Sequence, residues 1–448
     1  MRYETQSVAK LYFFGALTIF ALQLVFGLIG ATMYVAPTVI SPDILPFSVV
    51  RMIHTNALIV WLLLGFFGST YYLLPEEAER EIFSPFLAKL QFWLFFVAAG
   101  VAVVGYLFGF YDGRSYLEQP LVIKLGIVVV CAIFLFNISV TALKGRKTVI
   151  TNILMLGLWG AVFFFLFAFY LPANVVIDKM FWWWVVHLWV EGVWELIMAS
   201  ILAFLLIKLT GVDREIVEKW LYVIVGAALF SGILGTGHHY YWIGAPGYWQ
   251  WIGSIFSAVE PLPFFAMVLF AFGMVWKGRR EHPNKAALLW SLGCAVTSFF
   301  GAGVWGFLHT LSFVNYYTHG TQLTAAHGHL AFYGAYAMVN IAMITYALPP
   351  LLKREPYNQT LNITSFWLMT GGVYTMTAAL TIAGLLQTHL QYVVGQDYME
   401  VQQQLKLFYE IRLIGGVLTA LGLVVHLVAL IGLPRRAPVR AIAAVPAE

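Results

Sequence analysis

The sequence predicts an all-α polytopic membrane protein of twelve transmembrane helices, and three observations lead there. Only 10% of its 448 residues are charged and 61% are hydrophobic, against roughly 25% charged and 45–50% apolar in soluble domains. Apolar runs of about 20 residues, the length that crosses a hydrocarbon core, recur along the whole chain. The basic residues, finally, fall mainly on one of the two faces that alternating spans create.

Taken in order, the first run at roughly 10–35 follows the polar start MRYETQSVAK and is long enough to stay as a span, so no cleaved signal peptide is expected. The second, at roughly 50–74, stops at PEEAERE, whose charges cannot enter lipid. The third and fourth, at roughly 85–110 and 121–143, close on KGRK, and the fifth and sixth, at roughly 149–171 and 181–209, on LTGVDRE. The seventh and eighth, at roughly 218–240 and 249–276, end at KGRREHPNK, and the ninth and tenth, at roughly 286–309 and 322–350, at LLKREP. Runs at roughly 362–390 and 410–433 complete the set, with boundaries uncertain by about four residues. No connector is long enough to separate two domains, so residues 1–448 are read as one transmembrane catalytic domain.

With an even number of spans both termini share a side. Of the 25 lysines and arginines, 19 lie at the termini or after even-numbered spans, led by Lys144, Arg146, Lys147, Lys277, Arg279, Arg280, Lys285, Arg435 and Arg436. The other face holds only Arg51, Arg114, Lys124, Lys179, Lys406 and Arg412. Both termini are therefore expected in the cytoplasm, and the lipid bilayer is the main solvent. Nothing in the sequence points to a nucleic-acid partner. Cys131 and Cys294 lie in apolar runs and there is no Cys-x-x-Cys, which excludes covalent c-type haem and a thiolate zinc site in this chain.

Ligating and charged side chains inside a bilayer are costly and need a partner or a function. His54, His187, His238, His239, His327 and His329, with Glu191, Glu195 and Glu260, are the ones that stand out. The topology puts all six histidines in the outer part of the membrane, with His187 in the first two turns of the sixth span. His327 and His329 in TAAHGHLAFYG are about 200° apart around a helix and so serve two metals from opposite faces. A haem plane on each side accounts for the small Gly328 between them. His54 is the natural second axial ligand for one haem, leaving the other open to substrate.

A third metal takes the remaining ligands. His187 and Glu191 in WWWVVHLWVEGVWEL are four apart and share a face, while His238 and His239 follow the glycines of SGILGTGHH, where a helix end lets neighbours splay. Three imidazoles and a carboxylate suit non-haem iron better than copper. Glu195 and Glu260, taken singly, are as readily structural as functional, and the Trp and Phe near the outer ends read as an interfacial belt. His282 lies in a basic loop and is read as solvated. His309, His319, His389 and His426 lack a spaced partner and are read as non-ligands, with His319, in an outer loop, left open to contact with a propionate or a partner subunit.

These motifs resemble the haem-copper oxidase superfamily, and HLWVEGVWE, GTGHHYYWIGAP and HGHLAFYG more closely resemble the large subunit of cytochrome c-dependent nitric oxide reductases, over essentially the whole chain. The resemblance implies a low-spin haem b on His54 and His329, a high-spin haem b on His327, and a non-haem iron on His187, Glu191, His238 and His239. It implies reduction of two NO to N2O and water, with Glu191, Glu195 and Glu260 in catalytic roles, and a calcium bridging haem propionates near Glu118. A membrane-anchored cytochrome c subunit is implied as electron donor, because the quinol-dependent relatives carry a long amino-terminal extension and this chain reaches its first span within about ten residues. The setting implied is a bacterial inner membrane. Proton entry is expected from the outer connectors through Asp178 and Lys179, with Asp112 and Glu118 nearby.

Two rival readings remain. One is a terminal oxygen reductase of the same superfamily, which carries copper in the third site and a tyrosine crosslinked to a ligand histidine; Glu191 and the position of Tyr240 and Tyr241 depart from that pattern. The other is an ion-coupled transporter, which would show no haem b.

Overall fold

A computed structural model describes residues 2–278, 281–355 and 359–432. Arg279, Arg280, Arg435 and Arg436 lie outside the described residues. Among the described residues there are twelve helices long and apolar enough to cross a membrane: α1 (Glu4–Val35), α2 (Phe47–Ala78), α3 (Pro85–Leu107), α4 (Leu121–Lys144), α5 (Val149–Phe169), α6 (Val175–Thr210), α7 (Arg214–Tyr240), α8 (Tyr248–Trp276), α9 (Lys285–Thr310), α10 (Gln322–Leu351), α11 (Gln359–Val394) and α12 (Lys406–Ile431). A helix satisfies its own backbone polar groups, which lipid cannot do, and the protein is a multi-pass membrane protein.

Several starts follow polar caps. Ser84, Thr148, Asn174, Asn284 and Thr321 each accept a backbone N–H from the first turn that follows. The largest boundary differences are at α1 and α6, each beginning six residues before its expected start. In α6 the cap at Asn174 begins the helix, and Asp178 in its first turn pairs with Arg114, so VVIDKM is helical despite its charges. His187 consequently lies more than three turns inside α6 rather than in its first two.

Burial sorts the helices into an inner set and a lipid-facing set. In α2, α6 and α10 the hydrophobic windows are 78%, 83% and 89% buried, against 28% in α3. These three central helices carry His54, His187, Glu191, Glu195, His327 and His329. Ion pairs tie helix ends together: Arg214 holds the buried Glu77 through both guanidinium nitrogens, at 2.6 and 2.9 Å, while Thr148 donates to the same carboxylate.

Candidate metal centre

The centre is built where two helices depart from α geometry. In α6, Trp189–Val193 form a π turn in which Glu191 has φ −103 and ψ 34; such turns insert one extra residue and re-aim the side chains around it. The end of α7, Thr236–Tyr240, tightens to a 3-10 helix and brings His238 and His239 to the same place. Ligand atoms of His187, Glu191, His238 and His239 all lie within 4.8 Å of one another.

Hydrogen bonds decide which nitrogens point inward. His187 Nε2 is 2.8 Å from Gly232 O, which leaves Nδ1 free, 3.6 Å from Glu191 Oε2. His238 Nδ1 is 2.8 Å from Ser257 Oγ, and its Nε2 is 3.0 Å from His239 Nε2. His187 Nδ1 and Glu191 Oε2 are buried with no hydrogen-bond partner. Since buried polar atoms are rarely left unpaired, this set fits a metal ion, and its three nitrogens and one oxygen fit a hard to borderline one. His239 is oriented differently, by the Trp183 indole lying flat against it at 3.6 Å between ring centroids and 7° between planes. Trp182 stacks on Trp183 and donates to Ser115 O, and the Lys179 ammonium sits 3.8 Å above the Trp182 ring.

The H-x-H pair of α10 diverges as a helix requires. His329 faces His54 with 6.3 Å between ring centroids. Their Nδ1 atoms are occupied by Ala325 O at 2.7 Å and Gln23 O at 2.8 Å, so both Nε2 atoms are available. Two metal–imidazole bonds of about 2 Å plus the two half-rings fill a gap of that size. His327 turns the other way: Nδ1 lies 3.0 Å from Gly301 O, and its ring borders Gly306. A Cβ added to Gly328 would meet nothing within 4 Å, although α10 is the most buried helix. The residues therefore fit a haem on either side of α10.

The carboxylates spread around this core. Glu260, buried in the bend before Pro261, places Oε1 3.9 Å from His238 Nδ1, and Oε2 would lie 3.8 Å from a Cβ on Gly306, the glycine that His327 borders. Glu195 is buried further along α6 than Glu191. Glu118 lies in the connector between α3 and α4 and accepts 2.9 Å from Asn56 Nδ2 on α2. Burial pushes its carboxyl above the ordinary range, opposed by the Asn56 hydrogen bond and by Arg51. Asp178 is held by Arg114, which also donates to Tyr170 O at 2.8 Å, and Lys124 pairs with Asp112.

Sequence reasoning had no signal for Ser257, Trp183 or Gly232, because each acts on a ligand from another helix or from outside the His and Glu pattern. His309 also lies nearer than expected, its ring 6.2 Å from that of His327 and its nitrogens bonded to Thr318 and Thr324. Tyr241 donates to Thr310 O at 2.8 Å, and Tyr240 to Met180 O at 3.4 Å.

Residues 7–418 match the family model for cytochrome c and quinol oxidase polypeptide I. Over 449 aligned residues, spanning 95% of this chain and 94% of the relative, the sequence is 55% identical to a nitric oxide reductase subunit from Stutzerimonas stutzeri. This chain belongs to the nitric oxide reductase family. A more distant relative is a cytochrome c oxidase subunit 1 homolog of Agrobacterium tumefaciens (strain T37), 24% identical over 83% of this chain and 73% of that protein. The fold is that of a heme-copper terminal oxidase solved by cryo-EM as a dimer, with a TM-score of 0.71 at 14% identity, covering 96% of this chain and 85% of that one. Nitric oxide reductases are oxidoreductases, and in this member of the family α6 and α7 bring the His and Glu cluster together.

Proposed function

We propose that this chain is a catalytic subunit working with two haem b groups and one non-haem iron, and that it reduces two NO to N2O and water. The observation that supports this most is Glu191, whose carboxylate joins three imidazoles within 4.8 Å; a hard oxygen donor there favours iron over copper. His54 and His329 would hold the low-spin haem, His327 the high-spin haem, and His187, Glu191, His238 and His239 the iron. When bound, the two irons of the active centre would hold two NO nitrogens within bonding distance and supply electrons to them.

The chain's own residues do the rest. Gly232, Ser257 and Trp183 fix the three imidazole planes, as partners beyond the ligands usually do. Glu191 balances the charge of the metal. Glu260 and Glu195 hold protons beside the centre, since a buried carboxyl within reach of reacting groups is suited to general acid work. An apolar cavity of about 170 Å3 between α1, α2, α3 and α4, lined by Val60, Phe95, Val103, Leu117 and Trp189, abuts a smaller one lined by Trp189 and Val190. It suits an uncharged diatomic substrate arriving from lipid.

Electrons come from a membrane-anchored cytochrome c subunit on the outer face, and protons from the same face through the connectors that hold Asp178, Lys179 and Glu118. Glu118 would supply a carboxylate to a calcium ion bound on that face. The setting is a bacterial inner membrane, both termini cytoplasmic, with the whole chain acting as one domain. The deciding experiment is iron, copper and haem quantification on purified protein together with NO consumption. Two haem b and one further iron per chain, without copper, are expected. Stoichiometric copper would establish the oxygen-reductase reading instead, and a spectrum without haem b bands would leave the transporter.

A further inference from the structure

The metal cluster depends on the break in α6, and two residues from other helices are built around that break. In a regular α-helix the Trp194 N–H would donate to the carbonyl four residues back, at Val190. Here it reaches five back, to Trp189 O. The Val190 carbonyl thereby released accepts the hydroxyl of Tyr336, a fully enclosed side chain of α10 whose ring packs against Trp194 and Phe66. On the opposite side, Gly232 of α7 lies so close to Glu191 that an added Cβ would overlap the Glu191 carbonyl oxygen and stand 3.0 Å from its carbon. The Gly232 carbonyl accepts from His187 Nε2 at 2.8 Å, so one glycine touches both ligands that α6 contributes.

We propose that Tyr336 and Gly232 are positioning residues: together they hold the π turn Trp189–Val193 in place and so aim the Glu191 carboxylate at the three imidazoles. Without the hydroxyl, the Val190 carbonyl would be a buried acceptor with nothing to accept, and recapture of the Trp194 N–H would close the turn to an α-helix. Closing it takes Glu191 out of its non-helical backbone geometry and shifts the helical register across the turn by about one residue, about 100°, so the carboxylate leaves its present aim. Without the glycine, α7 would be pushed away from α6 at the level of the cluster. The two contacts therefore fix in three dimensions what the His-x-x-x-Glu spacing only permits. This inference rests on the reading of His187, Glu191, His238 and His239 as a metal centre.

Tyr336→Phe tests it, because it deletes one hydroxyl and keeps the ring that fills the space. Three quantities are compared with wild type: haem content, metal remaining after dialysis against a chelator, and hydrogen exchange of the amides of residues 190–195 in metal-loaded and metal-stripped protein. The expected result is unchanged haem, a metal affinity lowered about 10–100-fold, as for loss of a ligand-orienting partner, and exchange several-fold faster in both states. Gly232→Ala is expected to lower metal retention at least as far. Wild-type retention in Tyr336→Phe, or unchanged exchange in that segment, overturns the proposal. Should Gly232→Ala fail to assemble, Tyr336→Phe alone decides. Wild-type protein that holds no metal beyond its haems overturns the metal reading itself, and this proposal with it, so the two failures are told apart by the first measurement.

Discussion

Gly27→Ala is a one-carbon test of how the proposed low-spin haem site is held. The Cβ it adds on α1 would lie 2.7 Å from His54 Cε1 and 2.8 Å from Nδ1, whereas ordinary contact begins at 3.4 Å. The imidazole must withdraw by about 0.7 Å, or α1 and α2 must separate by as much. The ring is also tied to α1 by the 2.8 Å contact of Nδ1 with Gln23 O, which a shift of that size would stretch beyond hydrogen-bonding range. Metal–ligand distances tolerate about 0.2 Å, so the shift exceeds the tolerance severalfold. The variant is expected to assemble with both haems but to lose much of the six-coordinate low-spin spectrum, moving towards His54→Ala, in which that signal is absent and the high-spin haem remains. Optical and EPR spectra of the purified variants measure this directly. A Gly27→Ala protein with an unchanged low-spin spectrum and midpoint potential would refute the argument that α1 sets the position of His54, and an intact low-spin signal in His54→Ala would remove His54 from the haem.

Further expectations concern the carboxylates and the proton route. Glu191→Ala should deplete the non-haem metal or leave it bound and inactive, and normal iron content with full NO turnover would take Glu191 out of the coordination sphere. Glu260→Gln should keep all metals and slow turnover by about 100-fold or more, as loss of a proton-transfer group does; a wild-type rate would make Glu260 structural. Burial raises the Glu118 pKa, so in calcium-free protein its folded-state advantage is present at low pH and is lost as pH rises through the raised value. Melting temperatures should therefore show Glu118→Gln gaining on wild type with rising pH, and a difference constant with pH would count against the burial effect. If protons and electrons both arrive from the outer face, NO turnover in oriented proteoliposomes builds no membrane potential; a sustained, uncoupler-sensitive dye response would show cytoplasmic uptake and leave the metal assignments untouched.

Much of this molecule is written in one dimension because lipid makes a one-dimensional demand. Each span must be long and apolar enough to cross and must close its own hydrogen bonds, so the twelve helices follow from runs of apolar residues and most of their ends from the charges that follow, although the sixth begins six residues early at the Asn174 cap. Buried histidines stand out against that background. A fixed rotation per residue also separates His327 from His329 with no knowledge of the neighbours, and the structure turns the first towards Gly301 and the second towards His54.

The sequence could not show how those side chains are aimed, because aiming depends on contacts between residues far apart in the chain. His187 and Glu191 fit an unbroken helix equally well on paper, yet α6 opens into a π turn between them because α10 offers Tyr336 and α7 offers the bare face of Gly232. Ser257 reaches His238 from α8, and Gly27 makes room for His54 from α1. Trp183 looks like any belt tryptophan until the end of α7 lays His239 upon it. Hydropathy and helical rotation thus determine which residues arrive at the centre; where each helix starts, and so how deep His187 lies in α6, and the orientation of the ligands to within the few tenths of an ångström that ligation requires are decided by contacts between segments far apart in the chain.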